Sequence, residues 1–425
     1  MKLTNPLKTL TVLFTISFFI FATESCLRNN PDRNESMDEV KPYPHTIDMR
    51  QGFNNASRIT LSEIADSIQY VVLSKDKQKL IGNVSKIQIT DNNIYLISSN
   101  EGIVLRFSLT GKFQNSFGSI GRGPKEYLRG SLFTTTPDDD RLIIFKSAMD
   151  SYLIFETNGN YIETRDFPVS RTLYDFRNLS DSVFLCTFYY IGSIMKDYIS
   201  NFINCSAGLF DLDGNPIKLI EHPLKNADIS DSDIGNIISM APSITFFDNR
   251  IVLKPAGDTI YEIDSNSITK GYIIDWGNIP HKKSIKELFF FQAEPSDKPS
   301  IGSFVLETYD KTYFRVLKGN ESIIFEYDKI TGTVESMIED PNNRGFINDL
   351  DGGENYFPDY TNRKGDIWIT SEDAYSFKEK HSPEFLDKSI AINPEMKENL
   401  KTFTNNLKQD DNPVLKIVYL KKHPR

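Results

Sequence analysis

The sequence predicts an all-β fold, a six-bladed β-propeller, and three observations carry that prediction. A strand–turn–strand figure recurs along the chain, a strand stands at each end of the array, and aromatic residues are plentiful, with 30 Phe and 19 Tyr among 425 residues. Aromatic side chains suit a half-buried pleated surface. A unit of roughly 40–50 residues that supplies about four short strands is what a propeller blade requires, because one small sheet buries its faces only against neighbouring blades.

The figure is first legible at residues 103–113 (IVLRFSLTGKF). Leu105, Phe107 and Leu109 alternate with Arg106 and Ser108 before a turn at Gly111. It returns at residues 152–162, 207–217, 259–269 and 322–334, with turns near Gly159, Gly214, Asn266 and Gly332. Successive turns lie 48, 55, 52 and 66 residues apart, the longer intervals marking insertions. Partner strands of hairpins precede several turns, at Asn93–Ser98, Arg141–Lys146 and Arg250–Lys254, and Asp366–Thr370 supplies a sixth unit. A two-sheet sandwich would not require the same turn chemistry at this interval. Ile59–Leu73 holds an initial strand and Pro413–Lys421 a terminal one, so the last blade is expected to be built from both termini, leaving no exposed edge. Between the sixth unit and that strand a helix is expected: Asn393 caps it, Pro394 and Glu395 occupy its first turn, and Met396, Leu400, Phe403 and Leu407 form a packing stripe.

Several segments carry a resemblance. They are the entry strand Ile68–Leu73, the stretch FGSIGRGPKEY from Phe117 to Tyr127, Gly257–Tyr261, Tyr272–Gly277, Asn348–Gly353 and Asn412–Leu415. In this order they resemble the six-bladed β-propeller lipoproteins of Gram-negative gut-type bacteria, whose blades are similar to NHL repeats and whose activity is unassigned. The resemblance covers nearly everything after residue 57 and implies a propeller displayed on the cell envelope.

The N-terminus agrees with that address. Lys2 and Lys8 precede an apolar run from Leu10 to Ala22, which has signal-peptide length, and Cys26 stands where a lipoprotein signal puts its acylated cysteine. The expected organisation is a signal peptide over 1–25, a flexible tether over 26–56 and the propeller over 57–425. Lipidation at Cys26 would anchor the chain to the outer membrane or hold it in the periplasm, and plain secretion is the alternative reading of the same pattern. The tether is inferred from a segment rich in Asn, Asp, Glu, Pro and Arg. A net charge of −10 without a basic run argues against a nucleic-acid partner.

No catalytic constellation is present. The stretch Gly121–Glu126 begins like a dinucleotide fingerprint, but Glu126 replaces the last glycine and no strand-to-helix unit follows. This turn could project Arg122, Lys125, Glu126 and Tyr127 toward the mouth of a central channel, or Glu126 and Tyr127 could serve an inter-blade turn. Asp211–Gly214 opens like a calcium loop, yet its twelfth position is His222. Asp349, Asp351 and Glu354 form an acidic loop that could bind a cation or a sugar hydroxyl. The five histidines show no metal spacing, and no Gly-x-Ser-x-Gly elbow occurs. No metal, nucleotide or other cofactor is therefore expected. Cys186 and Cys205 fall on consecutive strands of the third unit and are read as either a disulfide or two buried thiols.

The leading expectation is a binding or scaffold role on the cell envelope, with channel-mouth loops presented to a glycan, peptide or protein partner. The alternative is a propeller enzyme, a lyase or hydrolase acting on such a glycan with acidic residues as general acid and base.

Overall fold

The computed structural model describes residues 43–74, 81–129, 131–146, 150–169, 173–189, 205–222, 242–282 and 297–422. The expected signal peptide, the expected lipidation site Cys26, the tether up to residue 42, His423 and the turn expected near Ile194–Lys196 lie outside these residues.

The chain is an all-β six-bladed propeller. Blade 1 consists of Val84–Ile89, Asn93–Ser98, Val104–Ser108 and Phe113–Phe117. Blade 2 follows with Leu132–Thr135, Arg141–Lys146, Ser151–Glu156 and Tyr161–Asp166. Blade 3 has Leu173–Ser180, Val183–Phe188, Cys205–Phe210 and Pro216–Glu221. Blade 4 has Ile244–Phe247, Arg250–Leu253, Thr259–Ile263 and Ile268–Asp275. Blade 5 has Ser300–Glu307, Lys311–Lys318, Glu321–Asp328 and Val334–Ile338. In each the first strand is innermost and consecutive strands pair antiparallel.

The recurring turn of the sequence joins the third and fourth strands of a blade. Gly111, Gly159, Gly214 and Gly332 all adopt positive φ there, a conformation that glycine takes more readily than other residues. Blade 4 makes the same turn without glycine, its Asp264 carboxylate accepting from the backbone N–H groups of Asn266 and Ser267.

Blade 6 closes the ring. Its inner strands are Tyr360–Thr361 and Ile367–Glu372, the third is the C-terminal Val414–Leu420, and the outermost is the N-terminal Ala65–Val72. Tyr70 pairs with Lys416 and Val72 with Val414 in that antiparallel register.

The core is divided among the blade interfaces. Apolar clusters fill each of the six, for example Tyr95, Val104, Phe133 and Phe155 between blades 1 and 2, or Ile87, Phe107, Ile369 and Ile417 between blades 6 and 1. Each fully buried aliphatic or aromatic side chain contributes about 1.5–3 kcal/mol, so the blades hold one another rather than standing alone. The expected helix is present as Pro394–Asn406. The Asn393 side chain accepts from Met396 N at 3.1 Å, and Leu400 is buried against Phe377 and Val414 on the flank of blade 6.

The expected tether boundary is corrected. Residues 45–48 (His45–Asp48) form a strand parallel to Tyr272–Asp275, making blade 4 five-stranded, and Met49–Asn54 forms a short helix. From there the backbone bonds to Ser336 of blade 5 and Ile347 before entering blade 6, so residues 45–72 run along the rim of blades 4, 5 and 6. The reason is local: Ile47 and Met49 are fully buried in the interface of blades 4 and 5. Gly52 permits the close approach, since a Cβ there would stand 2.2 Å from the Phe325 ring. Polar composition averaged over the whole segment conceals those residues.

Cys186 and Cys205 are thiols buried between blades 2 and 3 and are not joined in a disulfide. Cys186 stands opposite Gly208 rather than near Cys205, which rules out the cross-strand approach a disulfide needs. Burial pushes the Cys186 thiol well above its ordinary pKa.

Candidate functional site

The innermost strands enclose a central channel whose two ends differ. At the C-terminal ends of these strands the hairpin between Tyr360–Thr361 and Ile367–Glu372 reaches across the ring. Arg363 Nη2 donates to Thr135 O of blade 2 at 2.9 Å and to Asn178 O of blade 3 at 2.6 Å. Its guanidinium lies 5.1 Å over the Phe246 ring of blade 4, and Lys364 pairs with Asp91 beside blade 1. Asp248 and Asn249 donate backbone bonds to Lys364 and Arg363. Gln88 Oε1 accepts from Thr135 N, and Thr134 Oγ1 from Asn178 N, tying the inner strands together. This end is plugged.

The other end opens into a cavity of about 930 Å³, lined from the N-terminal ends of the innermost strands and from the segment 342–344 and 354–360. Blade 6 contributes Glu354, Glu372, Lys380 and Lys416. Lys416 Nζ lies 3.3 Å from Glu354 Oε2 and 2.6 Å from Glu372 Oε2, while Lys380 Nζ lies 3.4 Å and 2.7 Å from the same two carboxylates. Against the upward push of burial, Lys416 and Lys380 hold the Glu372 carboxyl below its ordinary pKa. His381 fixes the loop from behind: its Nδ1 bonds Phe377 O at 2.8 Å and its Nε2 accepts from Glu354 N at 3.3 Å. That tautomer is neutral, and burial, aided by Lys416, lowers the His381 pKa to about 4.

Blade 5 presents Arg315, bidentate to the buried Glu339 at 3.0 and 2.7 Å and stacked 3.6 Å over the Phe357 ring. Blades 1 and 3 present Lys86, Asp175 and Arg177. Arg177 Nη1 stands 2.7 Å from Asp175 Oδ1, which also pairs with Lys86. Burial pushes the Asp175 carboxyl up, but Arg177 and Lys86 outweigh it and the pKa is lowered. Aromatic faces complete the lining: Tyr174 and Tyr189 pack edge to face at 4.9 Å, with Phe304 and Tyr360 further round. Asp359 is open to the cavity and hydrogen-bonded by Thr370; burial raises its pKa.

Of the residues singled out from the sequence, Glu354 alone lines this cavity. Asp351 lies behind the wall, buried, and accepts from Tyr70 Oη, Asn348 Nδ2 and Gly353 N at 2.8, 2.7 and 2.9 Å. Asp349 accepts from Ser62 N and Oγ at 2.9 and 2.6 Å, tying the acidic loop to the N-terminal segment. The 121–127 turn sits on the flank between blades 1 and 2, away from the cavity lining. Tyr127 Oη accepts from Val104 N at 2.9 Å and donates to Phe117 O at 2.8 Å, with its ring fully buried. Glu126 accepts from Gly123 N at 2.8 Å, and a Cβ on Gly121 would meet the Glu126 carboxylate at 2.0 Å. Lys125 Nζ lies 4.9 Å over the Tyr161 ring, and Arg122 is exposed. Sequence reading missed Lys86, Asp175, Arg177, Arg315, Glu372 and Lys416. Lys86, Arg315 and Lys416 share a signal, a charge inside a strand with an apolar residue after it, which Glu372 at the end of its strand lacks.

Fold and site together define a propeller with a one-ended, charged and aromatic-lined cavity. Residues 44–419 match the family model described as Domain of unknown function (DUF4934), and the chain belongs to that family. No curated protein matches the sequence. Among solved structures, a presumed exported protein of Bacteroides fragilis is similar, with 17% identity and a TM-score of 0.63 over 89% of this chain and 99% of its own. A member of the duf4221 family from Bacteroides vulgatus has 13% identity and a TM-score of 0.46 over 85% and 98% of the two chains. Virginiamycin B lyase from Staphylococcus aureus has 17% identity and a TM-score of 0.37 over 65% and 77%. At these identities the likeness is one of fold. Among the described residues no helix is long and apolar enough to cross a membrane.

Proposed function

We propose that the protein is a cell-envelope binding protein whose channel mouth holds a glycan. The supporting observation is the one-ended cavity of about 930 Å³, in which aromatic faces stand beside paired charges. Sugar rings stack on aromatic faces, and sugar hydroxyls donate to carboxylates and accept from Lys and Arg. A pocket of this size closed at one end suits a few sugar units rather than a threaded polymer. The envelope address rests on the signal-peptide pattern ending at Cys26, with lipidation there as the anchor.

The carboxylates favour binding over turnover. Glu354 and Glu372 are each paired to two lysines, and against burial those lysines hold the Glu372 carboxyl below its ordinary pKa, away from the raised value a general acid requires. Asp359 supports the second reading, a glycan-cleaving enzyme, because a carboxyl of raised pKa at the cavity surface is what a general acid requires. A glycan array followed by calorimetry on the full chain tests the proposal. Binding is expected to weaken at least about tenfold, a loss of about 1.4 kcal/mol, in Tyr174→Ala and Glu354→Ala. Unchanged affinity in both variants would move the ligand away from the mouth.

A further inference from the structure

We infer that the cavity wall shared by blades 1 and 3 is a subsite for the acid group of an acidic glycan, a sugar carrying a carboxylate or a sulfate. This rests on the glycan-binding reading and goes beyond it in naming the ligand's charge.

On the blade 6 wall two carboxylates face two lysines, and on the blade 5 wall Arg315 is matched by Glu339. On the wall of blades 1 and 3 two cations, Lys86 and Arg177, share the single carboxylate of Asp175. The three are largely withdrawn from solvent, with side chains 12%, 4% and 12% exposed for Lys86, Arg177 and Asp175. A charge left without a counter-ion in such a place is costly, and an oxyanion supplied from the cavity removes that cost.

Among the described residues, the groups around Lys86 do not supply the missing anion. From blade 2 it faces the Phe133 ring at 5.6 Å, and from blade 3 Asp175 and Arg177. From blade 6, Tyr360 is a neutral phenol whose pKa is pushed up to about 12, by burial first, and Asp359 stands instead beside Arg315 and Lys416. Burial lowers the Lys86 pKa to about 8 despite the attraction of Asp175, and Arg177 adds to the fall. Arg344 contributes a further cation to the cavity lining. This cationic excess lies in a chain whose net charge is −10, so it is a property of the site and not of the composition. Tyr174, next to Asp175 in the same strand, offers a ring face on which the sugar bearing that acid can stack.

The test is calorimetry of the full chain at neutral pH against trigalacturonate, a sulfated trigalactose and neutral trigalactose. One or both acidic probes are expected to bind at least about tenfold more tightly than the neutral one, and the preferred probe identifies carboxylate or sulfate as the recognised group. The preference is expected to shrink as salt is raised in the wild-type chain, a readout that needs no variant. Lys86→Gln is expected to abolish it without lowering Tm, because Asp175 keeps Arg177. Tyr174→Ala should weaken acidic and neutral probes alike. Equal binding of neutral and acidic probes, or full acid preference in Lys86→Gln, would overturn the subsite while leaving the glycan reading intact. Binding of no glycan at all would overturn both.

Discussion

The two ends of the channel are built from the same innermost strands and do opposite things. At the plugged end, Gln88, Thr134, Thr135, Asn178 and Arg363 bond to one another and to the neighbouring backbone, with blades 1, 2, 3, 4 and 6 joined through one hairpin. At the mouth, the side chains a few residues earlier on those strands include the charged Lys86, Asp175 and Arg177 and the aromatic Tyr174, Phe304 and Tyr360, with the aliphatic Leu132 and Ile244 between them, and they line the cavity. On the binding reading, stability and recognition are separated along each strand rather than among blades. Substitutions at the plug should cost folding and spare ligand, whereas those at the mouth should do the reverse.

The largest effect should come from removing what holds both ends. Deleting residues 412–425 takes away Val414–Leu420, the strand that joins Ile367–Glu372 to Ala65–Val72. Soluble folding is expected to be lost, and a truncated chain that kept a sharp thermal transition would require a different closure.

Acid should act next. His381 has an ordinary pKa of 6.5 when unfolded and about 4 when folded, so between these values the unfolded chain takes up a proton that the native one does not. Its contribution is therefore fully present above pH 6.5 and falls as pH drops toward 4, by at most about 3 kcal/mol. His222, lowered by burial to about 4, acts in the same sense and window. Urea unfolding at stepped pH measures the slope, and His381→Gln should flatten part of it.

Arg363→Ala sharpens the comparison itself. It removes the Arg363 bonds to Asn178 O and to Thr135 O, the latter keeping its bond from Thr134 Oγ1, at a cost of about 1–3 kcal/mol. A lowered Tm with unchanged ligand affinity is expected, and lost binding at an unchanged Tm would reverse the roles of the two ends. Tyr127→Phe deprives Val104 N and Phe117 O of their partner and should cost about 1–3 kcal/mol without touching binding. An undiminished melting temperature with lost binding would instead make the 121–127 turn the functional site. Lys380→Ala should have the smallest effect on stability, within about 1 kcal/mol, because Lys380 is half exposed and Lys416 still reaches both Glu354 and Glu372.

Much of the fold was legible because its signals are local. Gly111, Gly159, Gly214 and Gly332 announce third-strand turns through a backbone conformation that few other residues adopt, and the alternation beside them gives the strands. Closure was legible from a strand at each terminus. The site was not, since Lys86, Arg177, Arg315 and Lys416 lie on four different blades and meet only once the ring is closed. Glu354 was found because it stands in a dense acidic loop, but that same density also drew in Asp349 and Asp351, which serve packing. The glycines of 121–127 were equally conspicuous, and the structure spends them on bringing Glu126 and Tyr127 against the backbone of the inter-blade turn.

The central claim is that the mouth holds a glycan without converting it. The most direct measurement is calorimetry of the full chain with a bound oligosaccharide, followed by mass analysis of the sugar recovered from the same cell. The account predicts one-to-one binding that is weakened in Tyr174→Ala and Glu354→Ala, with the sugar recovered at unchanged mass. Shortened or unsaturated fragments, dependent on Asp359, would contradict it and make this propeller an enzyme.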